Sequence, residues 1–456
     1  MWGMVLKKTT LQMVLKSLLC LPVLISNPAW AKVISEDFRG ASTSNNWLFP
    51  KIGGLHSYAS NAAFARQPNQ ACLTAGDGKG VGSITKAGKP PRCSARNDVI
   101  GQGALRLTPA EFYQSGGIVS DFTFATDEGV EISFTTYTYG GTGADGMSFA
   151  LIDGAVPITL GGLGGSLGYS CPASGYNERG GGMWGAYLGV GIDEWGNFLN
   201  KNDNSGNGPF SKTNAGYIGI RGKGDINLEY LHSLDQAFFP LNSTGESRSL
   251  ALCKDGRVSG SGKTHTLASL KVDNYKVIDY VKLPSNMPIG SKANNRAQAI
   301  PINYRLKITA EGLLSFWWSY NGGAYQPLLI DKNIISSNGK LPNSFRFAFA
   351  GATGGASNNH EVTCFKAAPA NLSIGTSPSN TPDGEFRTDT QVFSAYYNSN
   401  YWIGNFTATT LTMDANGGLI ASNKANWDGA CGLVGGACTA TDTYVSALPP
   451  ENRVLW

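Results

Sequence analysis

The sequence predicts an all-β protein built as an antiparallel β-sandwich. Glycine supplies 59 of the 456 residues and aromatic residues 11%, while charged residues make up only 15%. Helical proteins usually carry more Glu, Lys, Leu and Ala than this. Short segments alternate with a period of two, and Gly-rich and Asn-rich turns separate them. No segment holds a helical period beyond two turns, so no long helix is expected.

Taken in order, residues 1–31 read as a signal peptide. Lys7, Lys8 and Lys16 precede an apolar run over 17–25, and Ala29-Trp30-Ala31 offers small residues for cleavage. Leu19 before Cys20 is too large for a lipoprotein motif. No later run reaches 18 apolar residues, so no membrane span is expected, and the chain is expected in the periplasm, at the cell surface or outside the cell. The net charge of +4 is weak for this length and no Lys/Arg cluster forms a phosphate-binding face, which argues against nucleic acid as a partner.

Residues 32–366 read as one β-domain. Within Val130–Tyr139, Ile132, Phe134 and Thr136 fall on one face and Glu131, Ser133 and Thr135 on the other. Leu313–Tyr320 runs into Asn321-Gly322, a hairpin signal. Phe345, Phe347 and Phe349 share one face of a strand near residues 344–350. Residues 367–390 are rich in Ser, Pro, Thr and Asn and read as a linker. Residues 391–456 resume as strands with a turn at Asn416-Gly417-Gly418. These resemble the beginning of a domain cut short.

Export makes disulfides the default, and no Cys-x-x-Cys suggests metal or redox chemistry. Seven of the eight cysteines follow the expected cleavage point. The expected pairs are Cys72 with Cys93, Cys171 with Cys253 and Cys431 with Cys438. Cys364 is left over, either as a small buried hydrophobe or as the partner of sequence elsewhere.

Two stretches carry chemistry. Ala144-Asp145-Gly146 puts a carboxylate at the foot of a strand, beside a glycine that permits a sharp turn. Asp193-Glu194-Trp195-Gly196-Asn197, with Asp203 beyond it, clusters oxygen donors at a spacing suited to calcium. The plainer alternatives are a turn at Asp145, a capped loop at 193–197 and a core tryptophan at 195. The Gly-rich run 161–168 is no phosphate cradle, since no Gly-Lys-Ser/Thr follows it.

With these motifs in order, residues 35–366 resemble the L-type (legume, concanavalin A-like) lectin family in its bacterial branch. The resemblance rests on Gly103–Thr108, Gly140–Gly154, Gly161–Tyr169, Tyr187–Asn197 and Phe347–Gly355, followed by His360-Glu361. It implies a jelly-roll sandwich that binds a glycan with Ca2+ and catalyses nothing. By that resemblance Asp145, after a cis peptide with Ala144, accepts from two sugar hydroxyls. Gly164 or Gly165 gives a backbone N–H, Gly355 lies in the fourth sugar loop, Trp195 stacks on the ring and Asn197 donates its amide. Asp193, Asn197, Asp203 and the Trp195 carbonyl would hold the calcium. Two positions depart from the plant pattern: Gly191 stands where a metal-binding Glu belongs and Tyr217 where a His does, so a second, transition-metal site is expected to be lost.

The tail, from Val392–Tyr397 through Trp402, Asn416-Gly417 and Trp427-Asp428 to Arg453-Val454, is similar to the start of the β-propeller of the PilC/PilY family. This implies association with type IV pilus components, as part of an adhesin. A structural scaffold without ligand and a glycoside hydrolase are the alternatives. Retaining hydrolysis needs two carboxyls about 5–5.5 Å apart. The strand that should carry them has Gly191 at the nucleophile position, and neighbours Asp193 and Glu194 point to opposite faces.

Overall fold

The computed structural model describes residues 33–50, 69–83, 85–94, 98–162, 164–172, 181–201 and 207–370. Beyond them it describes the strands at 385–397, 401–413, 419–422 and 453–455. The expected signal peptide, the pair Cys431 and Cys438, and Asp203 lie outside the described residues.

The strands in chain order are β1 (Ile34–Glu36), β2 (Trp47–Leu48), β3 (Cys72–Leu73), β4 (Leu105–Thr108), β5 (Ser115–Ser120), β6 (Phe124–Ala125), β7 (Val130–Tyr139), β8 (Gly146–Asp153), β9 (Ala186–Asp193) and β10 (Tyr217–Arg221). An insert follows: helices α1 (Leu228–Leu234) and α2 (Ser243–Asp255), the hairpin β11 (Arg257–Gly260) and β12 (Lys263–Thr266), and the short helix α3 (Leu267–Leu270). The sandwich resumes with β13 (Val277–Lys282), β14 (Ile302–Ile308), β15 (Leu313–Tyr320), β16 (Gln326–Asn333), the short helix α4 (Ile335–Asn338), β17 (Ser344–Ala352) and β18 (Asn359–Ala368).

These strands form two eight-stranded antiparallel sheets. One runs β16-β15-β14-β7-β18-β4-β3, with β1 paired to β18. The other runs β13-β10-β9-β8-β17-β5-β2, with β6 paired to β17. The all-β sandwich predicted from composition and period is therefore the fold. Strands β19 (Glu385–Tyr397), β20 (Tyr401–Met413), β21 (Leu419–Ser422) and β22 (Arg453–Leu455) make a separate four-stranded sheet. β19 begins inside the stretch read as linker.

The core between the sheets is aromatic. Phe134 on β7 lies 5.0 Å from Tyr304, 5.1 Å from Phe149 and 5.4 Å from Phe349 between ring centroids. Phe345, Phe347 and Phe349 are fully buried, as their alternation requires. The opposite face of β7 is covered as well: Glu131 Oε1 accepts from Arg305 Nε at 2.6 Å, and Thr135 Oγ1 donates to Asn303 at 2.7 Å. β15 and β16 form the hairpin signalled by Asn321-Gly322, both of which have positive φ.

A second core lies on the outer face of the β9-β8-β17 sheet. Ala150, Ile152, Ala186 and Ala348 from the strands pack there with Tyr169, Leu231, Phe238, Phe239, Leu252 and Tyr275. Helix α2 corrects the expectation that no helical segment exceeds two turns. It runs 13 residues from an Asn242 N-cap to a left-handed Gly256. Its buried positions 245, 246, 249, 252 and 253 keep a helical spacing. Three of them are Gly, Glu and Ser, so the apolar period is invisible in the sequence. The Cys171–Cys253 disulfide ties this helix to the loop before β9, and Cys72 bonds Cys93; both pairings match the expectation. Cys364 is a free, partly buried thiol.

Candidate functional site

The sheet register brings the two chemical stretches together. Gly146, the first residue of β8, pairs with Asp193, the last of β9, and with Ala352, the last of β17. Asp145 therefore sits between the loops that leave β9 and β17. Its N–H donates to Ala352 O at 2.9 Å, and its own carbonyl accepts from Glu194 N at 3.1 Å and Trp195 N at 3.0 Å. The Ala144–Asp145 peptide is cis, as the resemblance implied.

The Asp145 side chain is 7% exposed, and its Oδ2 has no hydrogen-bond partner among the described residues. Burial, with the nearby Glu194 charge adding to it, pushes the carboxyl up to about 7. Two glycines lie against it. A Cβ on Gly354 would lie 3.3 Å from Oδ2, and one on Gly164 would lie 3.9 Å from it. Gly355 faces open space instead, so the residue of this loop that meets the carboxylate is Gly354, which the sequence reading passed over.

The 161–168 loop is fastened beside this point. Ser148 Oγ donates to Leu167 O at 2.7 Å, and Gly161 N to Gly168 O at 2.6 Å. A Cβ on Gly165 would come within 2.2 Å of Asn197 Cβ, so only glycine lets this loop touch the 193–197 loop so closely.

Asp193 is fully buried. Its Oδ1 accepts from Gly196 N at 2.7 Å and its Oδ2 from Phe198 N at 2.8 Å. Burial raises its carboxyl to about 7; those hydrogen bonds oppose the rise and the Asp145 charge adds to it. Asn197 Oδ1 accepts from Thr213 Oγ1 at 3.2 Å. Trp195 is 43% exposed, so it is no core residue. Among the described residues no three His, Cys, Asp or Glu side chains gather closely enough to hold a metal. The donor types present, one carboxylate with amide and backbone oxygens, suit a hard cation, and such a cation would favour the buried charge of Asp193.

The positions that depart from the plant pattern are filled by the protein itself. A Cβ on Gly191 would meet the Phe198 ring at 2.3 Å, and Tyr217 pairs with Asp193 in register. Behind that ring the fully buried Arg221 donates to Phe198 O from Nε at 2.9 Å and Nη2 at 2.6 Å, and from Nη1 to Tyr275 O at 2.7 Å. Burial pulls its guanidinium down to about 10.

Sequence reasoning missed the second set of residues that lock the loops. Glu194 accepts from the Asn358 amide, lies 3.8 Å from His360 Nε2, and leaves no room for a Cβ at Gly290. Asn358 also accepts from Gly141 N at 2.7 Å. Nothing local marks Asn358, because its partners are more than 150 residues away in sequence.

No family model matches the sequence, and no curated protein matches it. Similar solved structures include the VIP36 exoplasmic/lumenal domain in its Ca2+/Man3GlcNAc-bound form, at 14% identity and a TM-score of 0.32, covering 60% of this chain and 83% of that one. Lectin I-B4 from Griffonia simplicifolia, metal-free, is 14% identical with a TM-score of 0.33, covering 58% and 86%. The Emp46p carbohydrate recognition domain, metal-free, is 11% identical with a TM-score of 0.30, covering 59% and 83%. At these values the likeness carries no argument, and the sandwich stands on its own strand order. No helix among the described residues is long and apolar enough to cross a membrane.

Proposed function

We propose that residues 32–366 form a calcium-dependent, lectin-like carbohydrate-binding module of an exported adhesin. The observation that carries this reading is the Asp145 carboxylate: buried, with an unpartnered oxygen, and faced by Gly164 and Gly354 where side chains would obstruct a ligand. A sugar offers vicinal hydroxyls that such an oxygen can accept from, and an apolar ring face that the exposed Trp195 can cover.

Calcium would be held by Asp193, Asn197 and the Trp195 carbonyl, with Asp203 as the further carboxylate. Bound there, the ion supplies charge compensation and rigidity to the loop. The chain's own residues do the rest. Asp193 organises the loop through Gly196 and Phe198, and Asn197 stands against Gly165. Binding without hydrolysis is supported by the separate tasks of the adjacent carboxylates: Asp193 turns into its own loop and Glu194 turns to Asn358. Export is supported by the N-terminal pattern of residues 1–31 and by the two disulfides. Association with type IV pilus components rests on the resemblance of residues 392–454 alone.

Calorimetry with calcium on wild type beside Asp193→Ala, followed by a glycan array with and without chelator, tests this function. Calcium bound only by the wild type, with chelator-sensitive glycan signals, is the expected result. No calcium and no glycan would overturn it and leave a scaffold. Affinity for one monosaccharide is expected to be on the order of millimolar to high micromolar, with useful strength coming from multivalency.

A further inference from the structure

One loop at the same end of the sandwich has no part in that reading. Among the described residues, Phe112 at 54% and Trp195 at 43% are the most exposed of the large aromatic side chains. The topology places them on either side of Asp145. β9, β8, β17 and β5 are consecutive neighbours in one sheet. Asp193 pairs with Gly146, Gly146 with Ala352, and Ala352 with Ser115. Trp195 follows the end of β9 and Phe112 precedes the start of β5, so they leave the same edge three strand spacings apart. At about 4.8 Å per spacing the strand ends from which their loops leave are roughly 14 Å apart, more than one pyranose ring and comparable to a short oligosaccharide.

The loop carrying Phe112 is held in place rather than splayed. Thr353 Oγ1 donates to Glu111 O at 2.7 Å and accepts from Gln114 N at 2.8 Å, while Thr353 N donates to Gln114 O at 2.8 Å. Tyr113, at a φ of 58°, donates its N–H to Gly354 O at 3.2 Å. Gly354 is the residue that faces the Asp145 carboxylate. The backbone that presents Phe112 to solvent is thus bonded directly to the wall of the site. The ring itself has an aromatic neighbour, Tyr113, at 6.4 Å. An aromatic face exposed beside a polar acceptor is suited to the C–H face of a sugar.

We propose that Phe112 is a second aromatic platform, and that the site takes an oligosaccharide with one sugar at Asp145 and Trp195 and a further one against Phe112. This inference rests on the carbohydrate reading above and adds the length of ligand to it. The selectivity is for chain length: a monosaccharide reaches only the Asp145 end, whereas a di- or trisaccharide spans to Phe112.

The test uses the full chain on an array of mannose, galactose and glucose, each printed as mono-, di- and trisaccharide, with calcium present. The wild type is expected to bind its preferred trisaccharide about tenfold or more tightly than the matching monosaccharide. Phe112→Ala should remove that advantage while changing monosaccharide binding by no more than about twofold, and Phe112→Trp should restore it. Asp145→Ala should abolish binding at every length. Thermal melting of each variant verifies the fold, and the exposed Phe112 leaves little for the fold to lose. Wild-type binding that is independent of length, or a Phe112→Ala variant that keeps the full advantage, overturns this inference and leaves the carbohydrate reading intact. No binding of any saccharide by the wild type overturns both.

Discussion

The side-chain amide of Asn358 donates to both carboxylate oxygens of Glu194, at 2.8 and 2.9 Å, joining the loop after β17 to the loop after β9. The same Asn358 accepts from Gly141 N, and Ser357 O accepts from Thr142 N and Gly143 N. Three segments from distant parts of the chain, at 141–143, 194 and 357–358, are therefore tied together by the Asn358 amide and the Ser357 carbonyl.

Replacing that amide should loosen all three loops at once. Asn358→Leu leaves the Glu194 carboxylate and Gly141 N without their partner. The expected loss is about 2 kcal/mol of stability, with glycan binding weakened about tenfold or more. Chemical denaturation and calorimetry on the variant measure the two effects separately. Unchanged binding together with lowered stability would show that the clamp does not shape the site.

Gly165 tests the contact between two loops. A Cβ there must displace Asn197, so Gly165→Ala should weaken both glycan and calcium binding while leaving the distant core intact. Calcium titration with tryptophan fluorescence, which reports on the exposed Trp195, follows the change directly.

Glu36 gives the fold a pH dependence away from the site. Burial pushes its carboxyl from 4.5 up to about 7, against the hydrogen bonds from Asn45. In the folded state it keeps a proton that the unfolded chain has released between about pH 4.5 and 7. Its contribution therefore lowers stability as pH rises through that window and levels off above it, by up to about 3 kcal/mol. Glu36→Gln removes this term. The difference in melting temperature between variant and wild type should grow from pH 4.5 to pH 7 and then stay constant.

Arg221 should be the costliest side chain in the 193–198 region to remove. Arg221→Met strips partners from the buried carbonyls of Phe198 and Tyr275, which costs roughly 3 kcal/mol. Because Phe198 N holds Asp193, the same variant should also lose calcium affinity. Denaturant midpoints and calcium calorimetry give the two readouts, and an unaltered calcium affinity would limit Arg221 to a packing role.

Much of this protein is written locally in its residues. The alternation that opens Val130–Tyr139, the Phe345, Phe347 and Phe349 row and the Asn321-Gly322 turn point to strands and a hairpin, because side-chain period and turn chemistry act over a few residues. Asp145 stands out for the same reason, beside Gly146, and Asp193 through the oxygen donors that follow it within a few residues. Other features exist only once the chain is folded. Helix α2 keeps its helical spacing with Gly, Glu and Ser on the buried face, so packing against the sheet, and not hydrophobic period, decides it. Gly354 beside Asp145, Asn358 against Glu194, and Phe112 at the same sheet end as Trp195 are set by strand register, which pairs residues from about 50 to more than 200 positions apart. A sequence records which groups are present, but only the sheet order determines which of them share an edge.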